Sequence, residues 1–255
     1  TDEIQQQQQQ HWLEGFGSSI TNSEPYDNSP GFFTTESQDD TYHITSKGSV
    51  DHDECAILAH SVEAAAQQGR ASPMDSSTCS HGGIVIISDV VEPSIDYLYQ
   101  RTLAMKDATR QWHIHNMSPP SNSDDVYLVI GNTGVHAPTG KQVAKVADML
   151  QQDPSRMKEI DTIGQIARRG IKALKEGDFA AVGRTMTENQ LMLSSIGVSS
   201  PELDNLIKAA SPSSLGAKLP GAGGGGCMVA LTRNPKATSD AIELAGGRTL
   251  ISRLG

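Results

Sequence analysis

The chain has 255 residues, 36% of them hydrophobic, enough for one large domain or two ordinary ones with a sizeable core. Acidic residues number 30 against 20 basic ones, a net charge of −10 that argues against a nucleic-acid or anionic-membrane surface. It does not argue against phosphate ligands, which are held by local backbone N–H groups. No run of about 18 apolar residues and no charged-then-apolar leader pattern is present. Cys55, Cys79 and Cys227 form no CxxC pair and suggest no disulfide framework, so a reducing cytoplasm is the default. The first residue is Thr1 rather than Met, the start expected of a fragment or processed form.

Residues 1–50 carry a glutamine run from Gln5 to Gln10 and then a stretch rich in Ser, Thr, Asn, Asp and Pro, so loop or disorder is expected there. From Asp51 the pattern changes. Asp51 or Asp53 can cap a helix in which Leu58, Val62 and Ala65 recur at helical spacing and which ends at Gly69. Gly82-Gly83 then leads into Ile84 to Ile87, a buried-strand pattern, and 107–125 is polar, contains prolines and reads as a linker. Val126 to Ile130 predicts a strand. Val143, Val146, Ala147 and Leu150 predict a helix, as do Ile163, Ile166, Ala167 and Leu174, closed by Gly177. Asp178 caps a further helix from Phe179 towards Leu193, and Ser199-Ser200-Pro201-Glu202 starts the next. A glycine-rich turn precedes a strand from Cys227 to Leu231, a helix near Lys236 to Ala245 and a last strand from Thr249 to Ser252. Strands separated by helix pairs indicate an α+β or α/β fold rather than a bundle.

Three segments carry possible chemistry. Gly221-Ala222-Gly223-Gly224-Gly225-Gly226 leads straight into an apolar strand, whereas a flexible linker is usually flanked by Ser and other polar residues. Glycines let N–H groups converge on an anion without Cβ clashes. His60 and Glu63 stand i, i+3 on one helix face, and Asp75 follows a Ser-Pro turn that could present its carboxylate to a substrate hydroxyl. Such a carboxylate pair suits phosphoryl transfer, although helix-surface Glu and turn Asp are most often plain solvated residues. Gly15-Phe16-Gly17-Ser18-Ser19 could cradle phosphate and ligate Mg²⁺, but such residues also recur by chance in low-complexity sequence. His11, His43, His52, His113 and His115 lack ligand spacing and read as solvated.

Together these segments resemble the archaeal branch of the mevalonate kinases, within the GHMP kinase superfamily. Gly216-Ala217-Lys218-Leu219-Pro220-Gly221 through Cys227-Met228 is similar to the third motif of that family. Ala59-His60-Ser61-Val62-Glu63 and Gly69-Arg70-Ala71-Ser72-Pro73-Met74-Asp75 look like its catalytic-helix region. Gly131-Asn132-Thr133-Gly134-Val135, with Thr139 and Lys141, resembles the opening of its C-terminal domain. The resemblance implies an α+β two-lobe fold. Its N-terminal lobe would be a partial ribosomal S5 domain 2-like part over 51–120, and a ferredoxin-like C-terminal domain would span 126–255, with the active site in a cleft between the lobes. It implies ATP and Mg²⁺ as cofactors and mevalonate as the small-molecule substrate, phosphorylated to 5-phosphomevalonate for isoprenoid synthesis, and it is compatible with a homodimer.

By the same resemblance Asp75 is the catalytic carboxylate facing the mevalonate 5-hydroxyl, and Glu63 with Ser19 holds Mg²⁺. Gly15, Gly17, Ser18, Ser19, Gly221, Gly223, Gly224 and Gly225 line the phosphates. Two departures stand out. Nothing before Gly15 matches the lysine-bearing segment and Gly-Glu-His motif with which the family begins, and Pro220 stands where a threonine is usual. Two further readings therefore stay open: a truncated or non-catalytic remnant, and a related kinase acting on phosphomevalonate or homoserine.

Overall fold

The computed structural model describes the backbone of residues 32–34 and 43–45 and, in full, residues 51–66, 69, 71–93, 95–104 and 109–254. Gly15, Gly17, Ser18 and Ser19 lie outside the described residues. The chain divides into two compact units, Thr1–Asn116 and Met117–Gly255.

In the first unit, β1 (Phe32–Thr34) pairs antiparallel with β2 (His43–Thr45). The sequence pointed only to loop in this region, because strands of three residues carry no periodicity to read. Next comes α1 (His52–Ala66), opened as expected by Asp51, whose Oδ1 accepts from the N–H of Asp53 at 2.9 Å and of Glu54 at 3.2 Å. The face that α1 buries is not the predicted one. Leu58 and Val62 are 53% and 65% exposed, and Ala56, His60, Ser61 and Ala64 turn inward.

The reason is a partner some 40 residues away in the chain. Buried Arg101 donates from Nε to His60 Nδ1 at 2.9 Å, from Nη2 to Ser61 Oγ at 2.8 Å and from Nη1 to the Thr102 carbonyl at 2.8 Å. His60 Nε2 donates to the Ala71 carbonyl at 3.3 Å, and Trp112 meets the ring edge-on at 5.6 Å between centroids. With Nδ1 accepting from a guanidinium, His60 is neutral. Burial holds its pKa below the ordinary 6.5, against the Ala71 hydrogen bond, which raises it, and with the Arg101 charge, which lowers it further.

A folded-state pKa below the unfolded one means that the unfolded chain binds the proton more readily. The stabilisation is complete above about pH 6.5 and is lost as pH falls towards the depressed native value. Urea unfolding followed by tryptophan emission, which Trp112 beside His60 reports, is expected to show stability falling between about pH 7 and 5. His60→Gln, which cannot titrate, is expected to flatten that slope; an unchanged slope would remove His60 from the account.

The sheet of this unit has the order β3-β5-β4, with β3 at Ile84–Ser88, β4 at Asp96–Ala104 and β5 at Thr109–Met117. β4 and β5 are antiparallel. The expected linker over 107–125 is thus corrected, since Thr109–Met117 within it is the central strand of a sheet. Its residues Gln111-Trp112-His113-Ile114-His115 look polar in sequence, but Ile114 and His115 are fully buried. His115, expected to be solvated, accepts the Glu92 N–H at Nε2, 3.0 Å away. Ala56, Tyr99 and Ile114 form the core here, flanked by Val85, Ile87 and Trp112.

The second unit holds a four-stranded sheet in the order β7-β8-β6-β9, every neighbouring pair antiparallel. These strands are β6 (Tyr127–Asn132), β7 (Gly216–Lys218), β8 (Cys227–Thr232) and β9 (Arg248–Arg253). Between β6 and β7 run α3 (Thr139–Gln152), α4 (Met157–Lys175), α5 (Phe179–Ser195) and α6 (Pro201–Ala210), and α7 (Pro235–Leu244) joins β8 to β9. The cap predicted at Asp178 forms, its side chain accepting from Ala181 N at 2.9 Å. At α6 the cap is Ser200, which accepts from Leu203 N, while Ser199 donates to Asp204 instead. Val129, Met228 and Ala230 of the sheet pack with Leu203, Leu206, Ile207 and Ile242 into the main core. The α+β class read from the sequence holds. Among the described residues no helix is long and apolar enough to cross a membrane.

Candidate active site

Asp75 is exposed on the first turn of α2 (Met74–His81). The Ser-Pro turn expected to present it from a loop is instead the entry to this helix. Pro73 stands at the N-cap, and its carbonyl accepts from Ser77 N at 3.0 Å and from Ser76 Oγ at 3.2 Å. A carboxylate in the first helical turn lies near unpaired N–H groups and the positive end of the helix dipole.

The helix is anchored from below. Ser77 Oγ and the Tyr99 hydroxyl of β4 lie 2.8 Å apart, both groups buried. Burial pushes the Tyr99 phenol up from its ordinary value, partly offset by the Ser77 bond. At the far end His52 Nδ1 of α1 donates to the Ser80 carbonyl, and His81 Nε2 lies 3.2 Å from Asp53 Oδ1 without a hydrogen bond. Asp75 is therefore carried by a helix fixed to both the sheet and α1, with its own side chain left in solvent. Glu63, half-buried on α1, lies in the same unit. His60, its i, i+3 neighbour, is committed to Arg101 and is not available for chemistry.

In the second unit the glycine loop takes a backbone course that other residues rarely follow: Gly223, Gly224, Gly225 and Gly226 have φ of 84°, 75°, 153° and 74°. Two of its N–H groups are used by the fold. Gly224 N donates to the Val198 carbonyl and Gly226 N to the Val135 carbonyl, both at 2.8 Å. The Gly226 carbonyl accepts from Thr133 N at 2.9 Å and Thr133 Oγ1 at 2.8 Å. The N–H groups of Gly221, Ala222, Gly223 and Gly225 meet no acceptor among the described residues, and Gly225 is buried. The loop is thus stitched on both sides to the turns after α5 and β6 and retains free donors. Gly224 contributes room rather than its N–H.

Two residues here were given no role by the sequence. Lys218, at the end of β7, is driven by burial to a pKa of about 8. Its Nζ donates to the Leu219 carbonyl at 2.5 Å, and burial alone, without a charged partner, accounts for the shift. Gln142, on the first turn of α3, packs its amide over Gly224. Just before the loop, Leu219 N donates to Oε1 of buried Gln190 at 2.9 Å, which fixes the approach of the chain.

Residues 171–246, from α4 to the end of α7, match the family described as GHMP kinases C terminal. That stretch is a GHMP kinase C-terminal domain, and a mevalonate kinase is among the fold neighbours of the chain. The curated relatives that it resembles are mevalonate kinases. It is 35% identical to that of Pyrococcus furiosus over 135 residues, 50% of this chain and 40% of the relative. It is 31% identical to that of Methanothermobacter thermautotrophicus over 193 residues, 75% of this chain and 54% of the relative. The match therefore spans about half the length of these relatives or less. Among solved structures, L. major mevalonate kinase in complex with R-mevalonate superposes with a TM-score of 0.55 at 25% identity, covering 77% of this chain and 54% of that one.

Proposed function

We propose that this chain is the phosphate- and acceptor-handling part of an ATP-dependent mevalonate kinase. The observation that carries this reading is the glycine loop with its unmet N–H donors, lying inside a GHMP kinase C-terminal domain. In this reading Gly223 and Gly225 donate to phosphate oxygens, and Gly221 and Gly224 leave room for the phosphates to approach. Asp75 orients the mevalonate 5-hydroxyl and takes its proton as the oxygen attacks the γ-phosphorus. The bond from that phosphorus to the β–γ bridging oxygen breaks, and ADP leaves.

The described residues include no cluster of three or more His, Cys, Asp or Glu fit for a metal. Mg²⁺ takes one or two protein carboxylates and completes its shell with water and substrate phosphates. Glu63 would be the protein carboxylate, with Ser19 as the second ligand. When bound, the ion would neutralise charge building up on the β- and γ-phosphates.

One further reading is a remnant that binds nucleotide without turnover. An ADP-release assay offering mevalonate, phosphomevalonate and homoserine in turn separates the readings. Release dependent on mevalonate is expected. Release with only one of the other two would reassign the acceptor, and nucleotide binding without release on any acceptor would favour the remnant.

A further inference from the structure

Beside its unmet donors the glycine loop carries one unmet acceptor. A methyl group at position 224 would lie 2.1 Å from Gln142 Nε2 and 2.8 Å from Gln142 Cδ, so the amide occupies the space that the missing side chain leaves. Gln142 Oε1 is buried and has no hydrogen-bond partner among the described residues, none of which orients this amide through a hydrogen bond. By contrast Gln190, the other glutamine close to the loop, uses Oε1 for Leu219 N and Nε2 for Ser194, Ser199 and Asp204. A buried acceptor without a donor destabilises the fold, and a leucine or methionine in the same helical position would remove that cost. The amide therefore stands where a ligand can supply the missing proton.

We propose that Gln142 is a specificity-determining residue: its Oε1 accepts a hydrogen bond from a hydroxyl of the ligand whose phosphate sits on the Gly223 and Gly225 N–H groups. This rests on the phosphate-loop reading above and adds a chemical class to it, an alcohol next to an anionic phosphate. Acceptor and donors then face one ligand from adjoining positions. Gly224 is glycine so that the amide can come down over the loop. Two sources offer such a hydroxyl, the nucleotide ribose and the acceptor alcohol.

Calorimetric titration of the whole chain with Mg-ADP, magnesium tripolyphosphate and mevalonate tests the assignment. Gln142→Leu is expected to weaken either Mg-ADP or mevalonate roughly tenfold while tripolyphosphate, which has no alcohol, stays within about twofold. Loss of ADP assigns the ribose, and loss of mevalonate assigns the acceptor. Gln142→Met, longer and unbranched, is expected to repeat the pattern and guards against a packing defect peculiar to leucine. The proposal is overturned if both variants bind ADP and mevalonate within about twofold of the wild type. It is equally overturned if tripolyphosphate weakens in step, since Gln142 would then only shape the loop. A wild-type chain that binds none of the three would sink the kinase reading, and this proposal with it.

Discussion

Asp75→Ala is expected to lower acceptor-dependent ADP release on the order of 10³-fold while nucleotide affinity stays within about twofold. The split follows from where Asp75 sits. Its side chain is exposed, and the anchoring of α2 runs through Ser77 to Tyr99 and through the Ser80 carbonyl to His52. Removing the carboxylate leaves that frame intact and costs only a first-turn helix charge, about 0.3–1 kcal/mol. A large loss of turnover in a chain of near-normal stability would therefore report on chemistry. Asp75→Asn, the same size without the base, is expected to lose nearly as much. Activity of either variant within a few-fold of wild type would remove Asp75 from the mechanism.

The largest structural effect is expected from Gly223→Ala. A Cβ there would stand 1.9 Å from the Val198 carbonyl oxygen, the same oxygen that accepts the Gly224 N–H. The substitution combines left-handed strain of about 1–2 kcal/mol with overpacking of about 1–3 kcal/mol, so a cost near 3–4 kcal/mol is expected. Gly226→Ala separates the two contributions. Gly226 also has positive φ, but a methyl group there meets nothing within 4 Å, so only the strain, about 1–2 kcal/mol, should appear. Hydrogen exchange of the β8 amides measures both variants. Equal protection losses would show that the Val198 contact does not hold the loop, whereas a loss confined mainly to Gly223→Ala, with weakened Mg-ADP binding, is the expected result.

The second unit was legible in the sequence because its signals are local. Asp178 caps the helix that it precedes, Pro201 opens the next one, and the glycine run leads into apolar Cys227 to Leu231. The first unit hid its logic in long-range pairs. Leu58 and Val62 look like a core stripe, yet His60 and Ser61 are drawn inward by Arg101, which no pattern on the helix announces. The strand β5 carries Gln, His and Asn, and only pairing on both sides makes it a sheet interior. At the site, the glycine loop was readable because only glycine sustains φ of 74° to 84° at neighbouring positions without strain. Which donors remain free was not readable, since that depends on the Val198 and Val135 carbonyls lying against the loop. Gln142 gave no signal at all, because its packing against Gly224 joins residues far apart in the chain.

Phosphorus NMR on this chain with Mg-ATP and mevalonate tests the transfer itself. The account predicts that the γ-phosphate resonance gives way to a phosphomonoester on the 5-oxygen together with ADP, and that Asp75→Ala shows neither change. ATP that persists unchanged with mevalonate, while nucleotide is bound, would contradict it.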